Sequence, residues 1–291
     1  MQAALQSFLH RRRLILAVIT AYLILMATYL LVISPYKTYM LGISKSSVLA
    51  PTDLSPPSTL GFDRIYVINL ARRTDRKKRM KTMASYLNLD FTFVNGVTAE
   101  DPQINKYWVR NGASKAQLAC WQSHMHVYQS IVANNLTSAL ILEDDIDMEA
   151  DIEKRVFEVA PHLPKNWDVW FLGHCHEQEL ANKVGHPSLQ RSFRPQCTHS
   201  YAVSQRGAQK LVKMLAQIGK AIDITIRNRI KNGDIKAYSV QPPWTTQLKM
   251  KNDPSDVVSG LTGGWTTPME DSVYDRIKLE RFIVENADDT Q

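Results

Sequence analysis

The sequence predicts an α/β domain with a layered, mostly parallel sheet, preceded by a single transmembrane helix. Short β-rich runs alternate with segments of helical periodicity along residues 61–291, which is typical of a sheet covered by helices. The stretch Leu14–Ile33 carries no charge and spans roughly 30 Å as a helix, the thickness of a bilayer core. A composition of 44% hydrophobic and 22% charged residues indicates a folded chain.

The N-terminal apolar stretch is predicted to be an uncleaved signal anchor. Arg11–Arg13 directly precede it, whereas only Lys37 and Lys45 follow it closely. Because cytosolic flanks carry the excess of positive charge, residues 1–13 are expected in the cytosol and the rest of the chain in the lumen of the ER or Golgi. A cleaved signal peptide fits poorly, since its apolar region is about 7–15 residues long. The other alternative, a buried core helix, rarely lacks a polar face over this length.

Residues 34–60 are predicted to form a stem, and residues 61–291 one luminal domain. The stem shows neither a helical nor a strand period and carries four prolines among Ser and Thr. The net charge of the chain is only +7, and no basic patch interleaved with aromatic residues is present. The sequence therefore indicates no nucleic-acid partner.

The elements of the domain follow from periodicity and from turn residues. Asn95-Gly96 is typical of a turn after a strand, and Met80, Ala84 and Leu87 have helical spacing. Strands are expected at Ile65–Leu70, Phe91–Val94, Ala139–Leu142, Asp168–Leu172, Tyr201–Val203 and Ala237–Val240, and helices at Arg73–Leu87, Gln117–Asn134, Gln205–Ile218 and in the last twenty residues. Ligands of such sheets bind beyond the carboxyl ends of the strands, so residues that follow strands are the first site candidates.

An acidic run follows the third predicted strand. Glu143, Asp144, Asp145 and Asp147 come directly after the apolar residues Ala139–Leu142. Grouped carboxylates need a counter-ion, and their oxygens suit Mg²⁺ or Mn²⁺ with phosphate oxygens completing the shell. In an extended chain Glu143, Asp145 and Asp147 share one side and Asp144 lies on the other. The alternative is a solvated turn before a helix, whose N-terminus favours acids.

A basic cluster follows the first predicted strand, where a helix is expected to begin. Helix N-terminal amides and guanidinium groups together bind diphosphates well. The cluster contains Asn69, Arg72, Arg73, Asp75 and Arg76. Further basic residues continue the run, so a solvated helix face is the alternative. Neither a glycine-rich dinucleotide fingerprint nor a Walker loop is present, which excludes phosphate binding by those two routes.

Five motifs in order resemble those of glycosyltransferase family 25, which includes bacterial lipooligosaccharide β-galactosyltransferases and collagen galactosyltransferases. They are IYVINL followed by RRxDR, CxxSH at Cys120–His124, LILEDD, WDxxxLG at Trp167–Gly173 and SYAVSxxGAxKL at Ser200–Leu211. The similarity covers about residues 62–250. It implies a Rossmann-like nucleotide-diphospho-sugar transferase fold of the GT-A type, an inverting reaction, a UDP-sugar donor, a glycan or glycoprotein acceptor, and Mn²⁺ or Mg²⁺.

The resemblance also implies roles for individual residues. Glu143 and Asp145 are the candidate metal ligands, and Asp144 is a candidate catalytic residue. The candidate donor-binding residues are Asn69, Arg72, Arg73, Asp75, Arg76, Ser123 and His124. A purely structural role is the alternative for His124. The chain departs from the family pattern at Ala119 and Gln117, where the family usually has Gly and often Glu, and this puts the acceptor side in question more than the donor side. Ser255-Asp256 resembles a Ser-Asp pair of the family, which implies that this stretch lines the acceptor pocket; packing of a surface loop is the alternative, and the sequence favours it.

An inverting transfer needs a base for the acceptor hydroxyl. Asp223 is the first candidate, because the family often has a Val-Asp pair there, and Asp168 and His199 are reserves. An N-cap role is the alternative for Asp223. The function expected is that of a type II membrane enzyme transferring a hexose, galactose being favoured. The alternative is a catalytically inactive, membrane-tethered protein that binds nucleotide sugars or carbohydrates.

Of the three cysteines, Cys175 and Cys197 flank a polar loop, and in an oxidising compartment they are expected to form a disulfide. Cys120 is expected to be a small buried hydrophobe. The histidines around the loop are irregularly spaced, which does not favour a zinc site there.

Overall fold

The computed structural model describes Thr20 and residues 56–108, 113–175, 182–216, 220–248, 253, 255–257 and 268–288. The predicted transmembrane segment 14–33, apart from Thr20, lies outside the described residues, as do the cytosolic tail and residues 34–55. Where the chain is described, none of its helices is both long enough and apolar enough to cross a membrane.

Ten strands in the described residues form two sheets. In chain order they are β1 (Arg64–Asn69), β2 (Phe91–Asn95), β3 (Ser138–Glu143), β4 (Ile146–Met148), β5 (Val169–Cys175), β6 (Lys183–Val184), β7 (His186–Arg191), β8 (Gln196–Ser204), β9 (Ala237–Val240) and β10 (Thr245–Gln247). The large sheet has eight strands in the order β2-β1-β3-β8-β5-β9-β7-β6, and β4 pairs with β10.

Helices cover both faces of the large sheet. They are α1 (Thr74–Leu87), α2 (Pro102–Trp108), α3 (Lys115–Ala133), α4 (Ile152–Val159), α5 (Gln205–Met214), α6 (Ile222–Lys231) and α7 (Val273–Asp288), with a 3₁₀ turn at Ala160–His162. Successive residues of β3 enter different cores: Ile141 packs with α3, α5 and α6, whereas Leu140 and Leu142 pack with α1 and α4. This alternation produces a three-layer α/β/α domain, as the sequence predicts.

The expectation of a mostly parallel sheet is wrong for the strand pairings at its centre. β8 is antiparallel to both of its neighbours, with Leu140 opposite Ala202 and Phe171 opposite Tyr201. The β1–β2, β1–β3 and β5–β9 pairs are parallel. A strand that is buried on both faces has the same apolar composition in either direction, so its sequence does not reveal its orientation.

The start of α3 explains the departure at Gln117. The Ser114 hydroxyl accepts a hydrogen bond from the Gln117 amide at 3.1 Å, and the Gln117 side chain accepts one from the Ser114 amide at 2.9 Å. This capping box fixes the helix start at Lys115, two residues before the predicted start. The first turns of α3 therefore present Cys120, Ser123 and His124 to the end of the sheet.

Gly207 fixes the start of α5 against the large sheet. The amide of Gly207 donates to the Ser204 hydroxyl at 3.0 Å, which caps the helix. A β-carbon at this position would overlap the backbone carbonyl of Asp168. The motif glycine is therefore required by close packing between the helix and the sheet.

Candidate active site

A cavity of about 380 Å³ opens where β1, β2 and β3 end, a size suited to a small-molecule ligand. The ends of all three strands meet there because the strands are parallel. Its wall comes from the turns after these strands, the first turns of α3 and α6, the beginning of β8, Gln247 of β10 and Ser255–Val257.

Most of the predicted site residues line this cavity. Those at its wall are Arg72, Arg76, Ser123, His124, Glu143, Asp144, Asp145 and Asp223. The predicted donor-binding residues Asn69, Arg73 and Asp75 are not at its wall and contact the wall residues from behind or remain at the surface. Asp75 has a side chain 60% exposed and pairs with Arg73, which lowers the pKa of Asp75.

The acidic run bends between β3 and β4, so its residues do not alternate as expected. Asp144 is buried, and it accepts hydrogen bonds from Arg76 Nη1 at 3.0 Å and from Asn69 Nδ2 at 2.7 Å. Asp145 lies 3.3 Å from the same Nη1. Burial raises the pKa of Asp144 in spite of these two donors.

The expectation that Asp147 shares a side with Glu143 and Asp145 is wrong. The Asp147 carboxylate accepts hydrogen bonds from the Ser272 hydroxyl at 2.5 Å and from the Tyr274 amide at 3.0 Å. It therefore holds the beginning of α7 and is not at the cavity wall. The bend at residues 144 and 145 reverses the side on which the following residues lie, and the sequence gives no signal for that bend.

Glu149 completes this structural contact. Its carboxylate accepts hydrogen bonds from the amides of Glu270 and Asp271 at 2.9 and 2.8 Å. Arg155 lies 3.7 Å from Glu149 and 2.7 Å from the carboxylate of Glu270. Asp147 at the end of the acidic run and Glu149 just beyond it therefore anchor the C-terminal segment. Glu143, Asp144 and Asp145 face the cavity.

Arg76 is the counter-ion of the acidic run in this structure. Its guanidinium is almost fully buried and donates to Asp253 from Nε and Nη2 at 3.0 and 2.7 Å, while its other side contacts Asp144 and Asp145. Asp253 was not predicted, because nothing in the local sequence shows that it pairs with an arginine 177 residues earlier. Burial opposes ionisation of Asp253, but hydrogen bonds from Arg76 and Arg73 outweigh it and lower its pKa.

Asp256 forms ion pairs with Arg72 and Arg73. Its carboxylate accepts from Arg72 Nη2 and from Arg73 Nη1, each at 2.6 Å. Arg72 remains 53% exposed in its side chain and lines the cavity. A carboxylate thus binds the guanidinium groups that the sequence assigns to a diphosphate.

Glu143 faces a buried histidine. Its Oε1 lies 3.4 Å from Nε2 of His124 and accepts a hydrogen bond from Thr198 at 3.1 Å. Burial alone would favour the neutral acid, but His124, His199 and Thr198 outweigh it and lower the pKa of Glu143 to about 2. Glu143 is therefore an anion at physiological pH and suits cation binding better than proton donation.

Ser123 and His124 are held in place by hydrogen bonds to neighbouring residues. The Ser123 hydroxyl donates to the Ala119 carbonyl and accepts from the Val97 amide, both at 2.8 Å. His124 Nδ1 is hydrogen-bonded to the Tyr201 hydroxyl at 2.7 Å, and Tyr201 contacts Tyr128 at 2.5 Å. The sequence gives no signal for these tyrosines beyond their apolar surroundings.

The three candidates for the base lie in different places. Asp223 is in the first turn of α6 at the cavity wall, and Ala221, not Asp223, is at the N-cap position. Asp168 is fully buried at the opposite end of the sheet, where it binds Arg206, Lys210 and the Lys236 amide.

His199 is also buried, and its Nε2 is 3.3 Å from the Thr245 carbonyl. It is not among the residues that line the cavity. Of the three candidates, Asp223 alone reaches the cavity.

The predicted disulfide is present between Cys175 and Cys197. Cys120 carries a free thiol that is partly buried at the cavity wall. The disulfide joins the end of β5 to the beginning of β8, across the segment that contains β6 and β7. It thereby fixes the beginning of β8, which contributes Cys197 and Thr198 to the cavity.

The carboxylates at the cavity wall are of the ligand type that hard divalent cations prefer. Both oxygens of Asp144 are engaged by Arg76 and Asn69, which leaves Glu143 and Asp145 as the acids at the wall that are best suited to a cation. Two carboxylates in a small-molecule cavity suit an ion that completes its shell with water and phosphate oxygens. Among the described residues, Cys120, His124 and Glu143 also bring three possible ligand atoms within 4.8 Å of one another.

Comparisons with known proteins identify the family. The sequence model of glycosyltransferase family 25 (LPS biosynthesis protein) matches residues 62–226, more than half of the chain. A glycosyltransferase 25 family member of Aedes aegypti is 28% identical over 218 residues, which are 64% of this chain and 36% of that protein. Procollagen galactosyltransferase 1 of Danio rerio is 28% identical over 182 residues, covering 55% and 30% of the two chains.

The relatives include a protein named as inactive. The inactive glycosyltransferase 25 family member 3 of Homo sapiens is 29% identical over 178 residues, covering 54% of this chain and 29% of that protein. The matched part spans about a third of the length of these curated relatives.

Among solved structures, a glycosyltransferase involved in the glycosylation of the major capsid of PBCV-1 aligns with 62% of this chain and 92% of its own. The identity of 10% and TM-score of 0.29 are too low to support an argument. The match over residues 62–226 establishes that the chain belongs to glycosyltransferase family 25.

Proposed function

We propose that the chain is an inverting hexosyltransferase that moves a hexose, galactose being favoured, from a UDP-sugar to a glycan or glycoprotein acceptor. The observation that carries the proposal is that one cavity presents Glu143 and Asp145 together with Arg72 and Arg76. Carboxylates attract a cation and guanidinium groups bind phosphate, so the two sets match the two charges of a metal–diphosphate pair. A nucleotide-sugar transferase fold of the GT-A type is part of this proposal.

The donor's diphosphate would take the place of the Asp256 carboxylate. Arg72 and Arg73 hold that carboxylate at 2.6 Å in the structure, and phosphate oxygens form equivalent bidentate contacts with arginine. A divalent cation, Mn²⁺ or Mg²⁺, held by Glu143 and Asp145 would offset the charge that develops on the leaving diphosphate. Arg76 would keep Asp144 and Asp145 in position for that binding.

Asp223 would accept the proton of the acceptor hydroxyl. It lines the cavity from α6, and its Oδ1 accepts a hydrogen bond from the Ile224 amide at 2.7 Å, which orients the carboxylate. A base within hydrogen-bond reach of the attacking hydroxyl is what a single in-line displacement requires.

A second candidate function is a nucleotide-sugar or carbohydrate-binding protein without turnover. Arg76 already supplies a positive charge to Asp144 and Asp145, and the family includes relatives named as inactive. Such a protein would bind the donor through the same cavity without breaking its sugar–phosphate bond.

We also propose that residues 14–33 anchor the chain as a type II protein with its domain in the ER or Golgi lumen. The disulfide between Cys175 and Cys197 supports an oxidising compartment. Alkaline carbonate extraction and protease protection of intact microsomes test the anchor and the orientation. Release by carbonate, or digestion of the domain in sealed vesicles, would contradict them.

The experiment that tests the function is a panel of UDP-sugars with the purified full chain. UDP release is measured with Mn²⁺, with Mg²⁺ and with a chelator, and donor binding is measured in parallel. We expect metal-dependent UDP release from one sugar nucleotide, UDP-galactose being favoured. Binding without release for every donor would support the second candidate, and neither binding nor release would contradict both.

A further inference from the structure

Three possible metal ligands from different types of residue meet on the cavity wall. Cys120 and His124 are four residues apart in α3 and therefore lie on one face of the helix, and Glu143 ends β3 opposite them. The sulfur, an imidazole nitrogen and a carboxylate oxygen all lie within 4.8 Å of one another. A second such group in the described residues contains Cys175 and Cys197, whose sulfurs are joined in the disulfide and supply no thiolate.

The imidazole of His124 is held by Tyr201 on one side and directs its Nε2 toward Glu143, as expected of a metal-binding histidine. The residue is 1% exposed, and its Nδ1 is hydrogen-bonded to Tyr201. Its Nε2 makes no hydrogen bond in the described structure and points toward Glu143. Metal-binding histidines almost always donate the N–H of the other ring nitrogen to a neighbouring acceptor. With the proton on Nδ1, the Tyr201 hydroxyl is that acceptor and Nε2 carries the lone pair that would bind the metal.

One of the three ligand separations matches that of a tetrahedral site. Ligands at about 2.0–2.3 Å from Zn²⁺ lie roughly 3.3–3.8 Å from one another. The His124 Nε2 to Glu143 Oε1 distance is 3.4 Å, which is long for a hydrogen bond and right for two ligands of one ion. The Cys120 sulfur lies within 4.8 Å of the other two ligand atoms.

The ligand types and local charge determine which ion fits. Burial raises the pKa of the Cys120 thiol, and the negative charges of Glu143, Asp223 and Asp145 raise it further. A bound cation would offset these charges and stabilise the thiolate. A thiolate with an imidazole favours Zn²⁺ over Mg²⁺, Mn²⁺ or Ca²⁺, which prefer oxygen ligands alone. The set therefore differs in chemistry from the hard-cation pair Glu143 and Asp145, although it shares one residue with it.

We propose that Cys120, His124 and Glu143 form a binding site for a transition-metal ion, namely Zn²⁺. The fourth coordination position of the ion would be open to the cavity. On binding, the thiol of Cys120 loses its proton to solvent and the sulfur bonds to the metal, so one proton is released and no electrons are exchanged. Three protein ligands with one open position are typical of accessible zinc sites.

The test uses Co²⁺ as a spectroscopic probe of the purified full chain with its disulfide intact. Cys120 is the one thiol among the three cysteines, so a thiolate-to-Co²⁺ charge-transfer band reports this residue alone. We expect one Co²⁺ per chain, a band that Zn²⁺ abolishes, and one proton released per ion. Absence of the band in the wild-type chain would overturn the proposal.

Single substitutions distinguish the loss of a metal ligand from the loss of the folded structure. Cys120→Ser should remove the band, and His124→Gln and Glu143→Gln should each weaken Zn²⁺ binding at least tenfold. His126→Gln is the matched control, because His126 is exposed on the same helix two residues away. Circular dichroism verifies the fold of each variant. Zn²⁺ affinity that is unchanged in folded Cys120→Ser and His124→Gln would refute the site.

A second consequence rests on the proposed transferase function. Because Glu143 belongs to both ligand sets, Zn²⁺ should inhibit Mn²⁺-dependent sugar transfer, and the ratio of activities with and without Zn²⁺ should approach one in Cys120→Ser. Each variant is compared with itself, so a change in its basal activity does not affect the ratio. If the chain proves to have no transferase activity, the Co²⁺ titration still decides whether the metal site exists.

Discussion

Asp253 accepts two hydrogen bonds from the guanidinium of Arg76, at 3.0 Å from Nε and 2.7 Å from Nη2, and the side chains of both are at least 95% buried. The opposite side of that guanidinium contacts Asp144 and Asp145. One arginine therefore joins α1, the acidic run after β3 and the segment before α7. Arg76, which the sequence predicts to bind the donor, also holds these three parts of the site together.

Replacing Arg76 with Ala should destabilise the domain by about 3–5 kcal/mol, because it leaves the buried carboxylates of Asp144 and Asp145 without the guanidinium that pairs with them. Asp253 keeps its ion pairs with Arg73 and Arg79. Equilibrium unfolding in urea measures the change. Lys78→Ala, on the exposed side of the same helix, should change stability by no more than about 0.5 kcal/mol. A comparable stability for Arg76→Ala and Lys78→Ala would show that the carboxylates do not depend on Arg76.

The stability that Asp253 contributes should disappear in acid. Its pKa is lowered in the folded state, so its stabilising effect is complete above the unfolded value of about 3.9 and is lost as the pH falls through the folded pKa. The difference in unfolding free energy between wild type and Asp253→Asn should therefore be large at pH 7 and smaller at pH 3.

Asp90→Asn provides the control for that comparison, because Asp90 is exposed. It should show almost no difference from wild type at either pH. A gap for Asp253→Asn that stays constant or widens from pH 7 to pH 3 would mean that the ionised carboxylate is not the source of its effect.

The secondary structure follows from the sequence more closely than the strand directions and the long-range pairs do. Ala237–Val240 was predicted with its observed bounds, because a short apolar run between polar turns has few alternatives. The direction of β8 and the ion pair of Arg76 with Asp253 were not predicted. Both depend on which distant segments meet, and neither periodicity nor local composition carries that information.

The acidic run also shows that local sequence does not reveal contacts between distant segments. A strand followed by acids correctly indicated the cavity edge, where Glu143 and Asp145 lie. The division of these acids between the cavity and the anchoring of the C-terminal segment was missed, because it depends on a bend and on contacts with residues 270–274. Short strands such as β4 and β10 were missed for a related reason, since three residues give no measurable period.

Asp147→Ala should loosen α7. The change removes the acceptor of the Ser272 hydroxyl and the Tyr274 amide, and leaving such partly buried donors without it costs on the order of 1 kcal/mol each. Hydrogen exchange at the backbone amides of residues 273–281 should accelerate. Asp147→Asn keeps an acceptor oxygen and should have a much smaller effect. Unchanged exchange in Asp147→Ala would show that this carboxylate does not hold the helix.

Asp145→Ala should abolish turnover while the domain remains folded, because the change removes one of the two carboxylates proposed to hold the cation. A loss of at least about 10²-fold in kcat is expected for such a group. Asp147→Asn is the matched control from the same acidic run and should keep most of the activity. Normal turnover in Asp145→Ala would remove this residue from the site.

Asp223→Asn should lower kcat by about 10²–10⁴-fold and leave the KM for the donor nearly unchanged, since a general base acts on the acceptor proton and not on donor binding. The amide keeps an oxygen for the Ile224 hydrogen bond at 2.7 Å, so the variant loses proton affinity while the local structure is preserved. Asp234→Asn, just after the same helix, should behave as wild type. A rise in KM alone would instead indicate that Asp223 binds substrate, and the base would have to be another group at the cavity.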